Sequence, residues 1–193
     1  DWRQFENALS PKTKMIAVCN PNNPTGAQLN QDEIELICHA AAKVNAWIVA
    51  DEVYRGAEQS GVLTPSFWGH YEKTIITGGL SKAYGLPGLR IGWVVGPPKT
   101  VEEIWAHRDY TTIAPSVMSD HLARIALEPG RREKIFARTR SILRTNLPPL
   151  EKWIATHADI FDYTPPQAGA IVFLKYRLPI GSIKLVERLR KEQ

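Results

Sequence analysis

The hydrophobic pattern predicts three buried strands in the first half of the chain, each ending at a polar turn. Short apolar runs occupy residues 15–19, 47–50 and 74–77. Runs of this length that are bounded by turn residues are typical of strands buried inside a sheet. A further apolar run at residues 91–95, which ends before Gly96 and two prolines, predicts a fourth strand.

A helix is predicted between the first two strands. Asn30 can cap its start, and Glu33, three residues later, can complete a capping box. Apolar residues at helical spacing then form one face, namely Ile34, Ile37, Cys38, Ala41 and Val44. A strand, a helix and a strand joined by short connections predict a right-handed crossover and therefore a parallel sheet.

The second half of the chain is predicted to be mainly helical, with two strands near its end. The predicted helices cover residues 99–107, 116–127, 131–147 and 182–191, and the predicted strands cover residues 160–163 and 170–174. Residues 56–72 contain scattered glycine, proline, serine and aromatic residues, which predicts an excursion on the surface. Pro148 and Pro149 are expected to kink or interrupt the long helix. We place a domain boundary there, with residues 1–147 in a large domain and residues 148–193 at the start of a small C-terminal domain.

Composition and charge narrow the class of protein. The 193 residues are 44% hydrophobic and 23% charged, with a net charge of +4, which is typical of a globular protein. Basic residues are spread along the predicted helices, so no nucleic-acid partner is expected. No apolar stretch approaches the length of a membrane span and no signal peptide is recognised, so no membrane association is expected.

The cysteines and histidines give no indication of a metal site. Cys19 and Cys38 do not form a Cys-X-X-Cys pair, and the five histidines are scattered. Neither a zinc site nor a disulfide framework is therefore expected, and a reducing, cytoplasmic location fits this usage. Because the chain begins with Asp1 rather than methionine, we expect it to be an internal or C-terminal piece of a longer protein.

Candidate chemistry lies in the turns that follow the three strands. Asn23 belongs to the Asn-Pro-Asn-Asn-Pro-Thr-Gly sequence of residues 20–26, and Asp51 directly follows the second strand. Ser81 and Lys82 follow the third strand after two glycines. Ligands of open α/β sheets bind beyond the carboxyl ends of the strands, so these turns are expected to form one site. The two prolines of the first turn predict an extended, rigid loop.

Each of these residues also has a structural interpretation. Lys82 is a candidate amine nucleophile, but a surface lysine in a glycine-rich turn would give the same local sequence. Asp51 follows four apolar residues, and a buried carboxylate needs a partner. A helix cap or a structural ion pair would supply that partner just as a ligand would.

Three motifs together are more specific than any one residue. They are Asn-Pro-Asn-Asn-Pro-Thr-Gly at residues 20–26, Asp-Glu-Val-Tyr at residues 51–54, and Ser81-Lys82 followed by Arg-Ile-Gly-Trp at residues 90–93. With these motifs in this order, the chain resembles the class I/II aminotransferases, the fold-type I pyridoxal 5'-phosphate (PLP) enzymes. The resemblance implies a PLP-dependent transferase-like α/β fold, a mostly parallel sheet with flanking helices. It also implies a PLP-binding role for the large domain and an α+β small domain.

The resemblance implies a catalytic role for Lys82, which would hold PLP as a Schiff base and exchange the α-proton of the substrate. Asp51 would pair with the pyridine nitrogen, since a carboxylate favours the protonated ring. PLP is thus the cofactor that the resemblance implies, with an amino acid and a 2-oxo acid as substrates and a homodimer as the assembly.

Four further residues would bind the cofactor. Asn23 and Tyr54 would donate hydrogen bonds to the ring 3-oxygen, while Ser81 and Arg90 would bind the phosphate, for which an arginine fork is well suited. Gly79 departs from the family pattern, because many relatives carry a hydroxyl residue three positions before the lysine. We therefore expect weaker phosphate binding there or another group that compensates.

Two other functions fit the same motifs. Another fold-type I PLP enzyme, such as a carbon-sulfur lyase or a decarboxylase, would use the same cofactor contacts, and a non-catalytic fragment would use none. The family's upstream phosphate loop, stacking aromatic residue and carboxylate-binding arginine would lie outside residues 1–193. The chain by itself is therefore expected to be inactive, and the sequence does not indicate which amino acid is the substrate.

Overall fold

The computed structural model describes residues 1–192, which are built around a four-stranded sheet. Its strands lie side by side in chain order: β1 (Met15–Cys19), β2 (Trp47–Asp51), β3 (Thr74–Gly79) and β4 (Gly92–Val95). The first three are parallel, and β4 runs antiparallel to β3. The expected mostly parallel sheet is therefore confirmed. β3 continues through Gly78 and Gly79, where the sequence predicted a turn, because these residues pair with Trp93 and Gly92.

The helices agree closely with the sequence pattern. They are α1 (Trp2–Ala8), α2 (Gln31–Lys43), α3 (Pro98–Arg108), α4 (Val117–Leu127), α5 (Pro129–Ala155) and α6 (Ser182–Lys191), with a 3-10 turn at Pro87–Leu89. Only α1 was not predicted, and the Asp1 carboxylate caps it by accepting hydrogen bonds from the N–H groups of Arg3 and Gln4 at 3.0 and 3.2 Å. Across residues 1–192, no helix is both long and apolar enough to cross a membrane.

Helix α2 forms the core beneath one face of the sheet. Asn30 and Glu33 make both hydrogen bonds of the predicted capping box. The helix then buries Ile34, Ile37, Cys38 and Ala41 in a cluster with sheet residues that include Ile48 and Ala50. Each isoleucine of this cluster contributes about 1.5–3 kcal/mol when it is fully buried. Packing of α2 therefore supplies a large share of the energy that holds β1 and β2 in place.

The C-terminal strands are shorter than predicted. β5 (Phe161–Asp162) and β6 (Lys175–Tyr176) form a separate antiparallel pair. The prediction of a strand at residues 170–174 is wrong, because the ladder begins only at Lys175. Two residues just before the predicted strand pair with a different segment. Ala168 forms an antiparallel bridge with Glu58, and the Gly169 N–H donates to the Ala57 carbonyl at 3.0 Å.

Helix α5 runs without interruption through Pro148 and Pro149, which were expected to kink or break it. A proline keeps a helical φ, so the helix continues although it lacks the two N–H donors that would bond the carbonyls of Arg144 and Thr145. The predicted interruption is therefore wrong, and the predicted kink stays a prediction. The Arg144 guanidinium is used on the outside of the helix, where its Nε donates to the Gln59 carbonyl at 2.8 Å. The domain boundary predicted at residue 148 falls inside this helix and stays a prediction.

Residues 56–72 are not simply a surface excursion, since part of this segment is buried. Phe67 and Glu58 have no exposed surface, and Thr64 is 1% exposed. Phe67 joins the core cluster that α2 forms with the sheet. The sequence did not indicate this burial, because the segment has neither helical nor strand periodicity.

The buried carboxylate of Glu58 links this segment to α5. It accepts hydrogen bonds from the Gly56 N–H at 3.0 Å, from the N–H and hydroxyl of Thr64 at 3.0 and 3.1 Å, and from Arg140 Nη2 at 2.8 Å. Burial alone would raise the pKa of the Glu58 carboxyl, but these donors outweigh it and hold that pKa below its usual range. The chain just after Tyr54 is thereby fixed to α5.

We predict that Arg140→Met lowers the free energy of unfolding by about 3 kcal/mol at pH 7, because it leaves a buried carboxylate without its cation. Denaturant unfolding would measure this loss. Arg131→Met is the matched control on the same helix, since Arg131 pairs with Glu128 in the open and such pairs contribute about 0–1 kcal/mol.

The same loss is expected to depend on pH. A depressed carboxyl pKa stabilises the fold above the ordinary glutamate pKa, about 4.3, and that stabilisation is lost as pH falls through the pKa of the folded state. The gap between wild type and Arg140→Met should therefore narrow in acid. A gap no larger than that of Arg131→Met, or one unchanged between pH 7 and acid, would contradict this account.

Candidate active site

Backbone hydrogen bonds join the turns that follow β1, β2 and β3. The Asn20 N–H donates to the Asp51 carbonyl at 2.9 Å, and the Glu52 N–H donates to the Thr77 carbonyl at 2.8 Å. The N–H of Ala83, next to Lys82, donates to the Val53 carbonyl at 3.3 Å. The parallel pairing therefore continues past the ends of the strands, and the three predicted turns lie together.

The first loop is a tight turn rather than the extended loop that its prolines predicted. The Gly26 N–H donates to the Asn22 carbonyl at 2.8 Å, the Asn22 N–H donates to the Ala27 carbonyl at 2.9 Å, and both X-Pro bonds are cis. The turn carries Asn23 to the end of β2, where its Nδ2 donates to the hydroxyl of Tyr54 at 3.0 Å. Tyr54 is 8% exposed. Asn23 and Tyr54 thus form a pair of adjacent donors.

Asp51 lies at the last position of β2 with one carboxylate oxygen fixed. Its Oδ1 accepts from the Val53 N–H at 3.2 Å and from the Thr77 hydroxyl at 3.3 Å. Its Oδ2 makes no hydrogen bond with any residue from 1 to 192. Sequence reasoning missed Thr77, although the pairing of neighbouring parallel strands offered a signal: Asp51 and Thr77 are partners in the ladder.

Lys82, Ser81 and Arg90 follow β3 at the same edge. Lys82 is exposed and makes no hydrogen bond or ion pair with the residues that the structure describes. Arg90 Nη1 donates to the Pro87 carbonyl at 2.9 Å and lies 3.5 Å from the Ser81 hydroxyl. Arg90 adopts a left-handed conformation with φ of 53°, which costs on the order of 1 kcal/mol and often occurs at functional sites.

Gly79 lies where its neighbours leave little room for a side chain. A Cβ at this position would lie 3.2 Å from the Ile91 carbonyl oxygen and 3.4 Å from the Gly92 Cα. A serine here would require the β4 backbone to move by a few tenths of an ångström. The effect of a side chain at this position therefore depends on whether the backbone at Ile91 can shift by that amount.

Two buried polar side chains lie within the sequence motifs but were given no role of their own by the sequence. Asn20 is 1% exposed, and its Oδ1 accepts from the Leu29 N–H at 2.9 Å. Glu52 is 8% exposed, and burial raises the pKa of its carboxyl. Burial, and to a smaller extent the charge of Asp51, also raise the pKa of the Cys19 thiol.

The donor set fits the groups of PLP. Asn23 and Tyr54 offer two adjacent side chains for a phenolic oxygen, and the free oxygen of Asp51 can accept from a ring N–H. Ser81 and Arg90 offer a hydroxyl and a fixed cation for a phosphate. Lys82 offers an amine that no other described residue engages. A single aromatic cofactor with these three polar groups would use all of them.

Comparisons with known proteins indicate the same cofactor. The family model described as Aminotransferase class I and II matches residues 1–193. Capreomycidine synthase of Streptomyces vinaceus is 28% identical over 191 residues, which is 98% of this chain and 48% of that protein. Aromatic-amino-acid aminotransferase 2 of Thermococcus litoralis is 32% identical over 131 residues, which is 66% of this chain and 34% of that protein.

A solved structure with the same fold matches the whole chain. The crystal structure of a PLP-dependent aminotransferase from Streptococcus suis 89-1591 superimposes with a TM-score of 0.88 and 35% sequence identity, covering 100% of this chain and 50% of that one. The expected PLP-dependent transferase-like fold is therefore confirmed. The chain spans half or less of the length of each of these three proteins.

Proposed function

The chain belongs to the class I and II aminotransferases, a family of PLP-dependent enzymes. From that premise we propose that the protein moves an amino group between an amino acid and a 2-oxo acid, with Lys82 holding PLP as a Schiff base. The observation that carries the proposal is the convergence of Asn23, Tyr54 and Asp51 at one edge of the sheet. The family resemblance implies these roles, and the contacts described above support them.

Bound PLP supplies an electron sink for the charge that develops at the substrate's α-carbon. Asp51 supports that sink by holding the ring nitrogen protonated through its uncommitted Oδ2. Thr77 and the Val53 N–H hold the other oxygen, at 3.3 and 3.2 Å. These contacts fix the plane of the carboxylate before the cofactor binds, which is the preorganisation that makes electrostatic stabilisation effective.

Lys82 has two roles in the proposal. Its Nζ would hold the cofactor, and it would also act as a base that removes the proton from the substrate's α-carbon and as a general acid that returns a proton. Lys82 is exposed and has no ion pair among the described residues, so its amine is free for both roles.

The remaining residues orient the ring in the proposal. Asn23 and Tyr54 donate to the ring 3-oxygen, and Ser81 with Arg90 binds the phosphate. The Arg90 backbone is fixed by its left-handed turn and its side chain by the Pro87 carbonyl at 2.9 Å. A pre-set guanidinium loses less side-chain freedom on binding an anion.

A second function is favoured by one observation. Capreomycidine synthase aligns with 98% of this chain, and its name is not that of an aminotransferase. The same cofactor contacts would serve another PLP reaction, including the lyase or decarboxylase expected as alternatives. Turnover that requires a 2-oxo acid supports amino transfer, and turnover without one supports the second function.

The proposal also includes a homodimer and a cytoplasmic location. The homodimer rests on the family resemblance. The location rests on the cysteine usage of the sequence, in which Cys19 and Cys38 are free thiols.

We predict that borohydride reduction of the complete, PLP-loaded protein fixes the label on Lys82, since this amine lies beside the other cofactor residues. Peptide mass mapping would locate the label. Lys82→Ala should lose the label, and Lys99→Ala, a change at an exposed lysine of α3, should keep it. A label on another lysine, with Lys82 unmodified, would refute the role. A failure of the complete protein to bind PLP would favour the non-catalytic alternative.

We predict that Asp51→Asn keeps the fold but slows removal of the α-proton by about 10²–10³-fold, because an amide cannot stabilise a protonated ring nitrogen as a carboxylate does. Single-turnover kinetics would measure the rate. Asp32→Asn, at an exposed position in the first turn of α2, is the matched control. A near-normal rate in Asp51→Asn would exclude this role for Asp51.

We predict that residues 1–193 alone do not support transamination, although a longer protein that carries them does. No residue of the chain is assigned to the substrate carboxylate, and loss of one such charged contact costs about 2–3 kcal/mol, or on the order of a hundredfold in rate. Turnover of an amino-acid panel with 2-oxoglutarate would compare the two proteins, with a PLP titration of each as the control. Equal turnover would contradict the prediction.

A further inference from the structure

A segment from the far end of the chain docks against the first loop of the candidate site. We call residues Pro166 to Gly169 the 166–169 clamp. The N–H groups of Gln167 and Ala168 both donate to the Gly26 carbonyl, at 2.9 and 3.0 Å. The Gln28 N–H donates to Gln167 Oε1 at 2.9 Å, and Gln28 Nε2 donates to the Gln167 carbonyl at 3.2 Å.

The same clamp also binds the segment that follows Tyr54. The Gln59 N–H donates to the Gln167 carbonyl at 2.8 Å, and the Gly169 N–H donates to the Ala57 carbonyl at 3.0 Å. Ala168 lies opposite Glu58 in an antiparallel bridge. The carbonyl of Gln167 thus accepts from both segments at once, and its side chain accepts from the first.

Close packing accompanies these hydrogen bonds. A Cβ at Gly26, where φ is +69°, would collide with the Pro166 Cβ and lie 2.7 Å from the Ala168 carbonyl oxygen. A Cβ at Gly169, where φ is +80°, would lie 3.4 Å from the ring of Tyr54. The clamp therefore packs against the Asn23 loop at Gly26, and its Gly169 lies near the Tyr54 ring.

The two loops that the clamp joins carry the donor pair of the site. Asn23 lies three residues before Gly26, and Tyr54 lies three residues before Ala57. We propose that Gln167 is a positioning residue, which holds the two loops in register so that Asn23 and Tyr54 present their donors together. The cofactor oxygen to which this pair would donate belongs to the proposed function. The link between the two loops does not depend on that function.

Gln167 itself is the informative residue to change, because its side chain is exposed and its removal leaves no cavity in the core. Gln167→Ala removes the acceptor of the Gln28 N–H and keeps the backbone contacts. Gln167→Glu keeps an acceptor oxygen at the same reach and is the conservative rescue. Gln59→Ala is the matched control, since within residues 1–192 only the backbone of Gln59 is hydrogen-bonded.

The first measurement needs no cofactor. In the complete protein, hydrogen exchange at the amides of Asn22 and Gly26 should become about two- to tenfold faster in Gln167→Ala, the range expected for one neutral hydrogen bond. Gln167→Glu and Gln59→Ala should exchange like wild type. Unchanged exchange in Gln167→Ala would overturn the proposal.

The second measurement uses the absorbance of bound PLP to report on the hydrogen bonds from Asn23 and Tyr54. The absorbance of the loaded protein is titrated with pH, and Tyr54→Phe sets the shift that loss of a donor to the ring oxygen produces. Gln167→Ala should move the midpoint in the same direction by less, with recovery in Gln167→Glu. If Tyr54→Phe moves the midpoint and Gln167→Ala does not, Gln167 does not position Asn23 and Tyr54, even if it joins the loops. The proposal then fails. If the wild type binds no PLP, the proposed function fails, and the exchange measurement alone decides whether Gln167 joins the loops.

Discussion

The candidate site depends on the register of three parallel strands. Cys19, Asp51 and Thr77 are partners across β1, β2 and β3, and hydrogen bonds of the same kind continue into the turns beyond them. A slip of one residue would turn every side chain of a strand to the other face. The apolar cluster between α2 and the sheet prevents that slip, because it requires Ile48 and Ala50 to point toward the helix. Core packing thus determines which polar residues reach the edge.

The sheet alone does not hold the turns, and distant segments complete the arrangement. Glu58 joins the chain after Tyr54 to α5 through Arg140, and the 166–169 clamp joins that chain to the Asn23 loop. Buried charges are expensive unless they are paired, and here the carboxylate receives donors from the backbone as well as from the guanidinium. The site is therefore assembled by contacts between residues that are 80 to 140 positions apart in the chain.

The sequence predicted features that local chemistry determines. The capping box of α2 and the strand at residues 15–19 depend on neighbours within a few positions, and both are confirmed. The burial of Phe67, the bond from Thr77 to Asp51 and the clamp at Gln167 depend on partners far along the chain, and the sequence pattern did not reveal them. The strand predicted at residues 170–174 failed for the same reason, because the adjacent Ala168 and Gly169 are held by Glu58 and Ala57 rather than by a ladder.

Asp51 and Glu52 show how two neighbouring carboxylates acquire different roles. Side chains alternate between faces along a strand, and burial alternates accordingly from Ile48 to Glu52. Glu52 points to the α2 side, where it accepts from the Ser66 hydroxyl at 2.8 Å and the Phe67 N–H at 2.9 Å and holds Phe67 in the core. Asp51 points to the other side with one oxygen uncommitted among the described residues. Asp51 is therefore the carboxylate available for chemistry because of its position in the alternation along β2, and not because of its residue type. The strand pairing that builds the core also fixes that position.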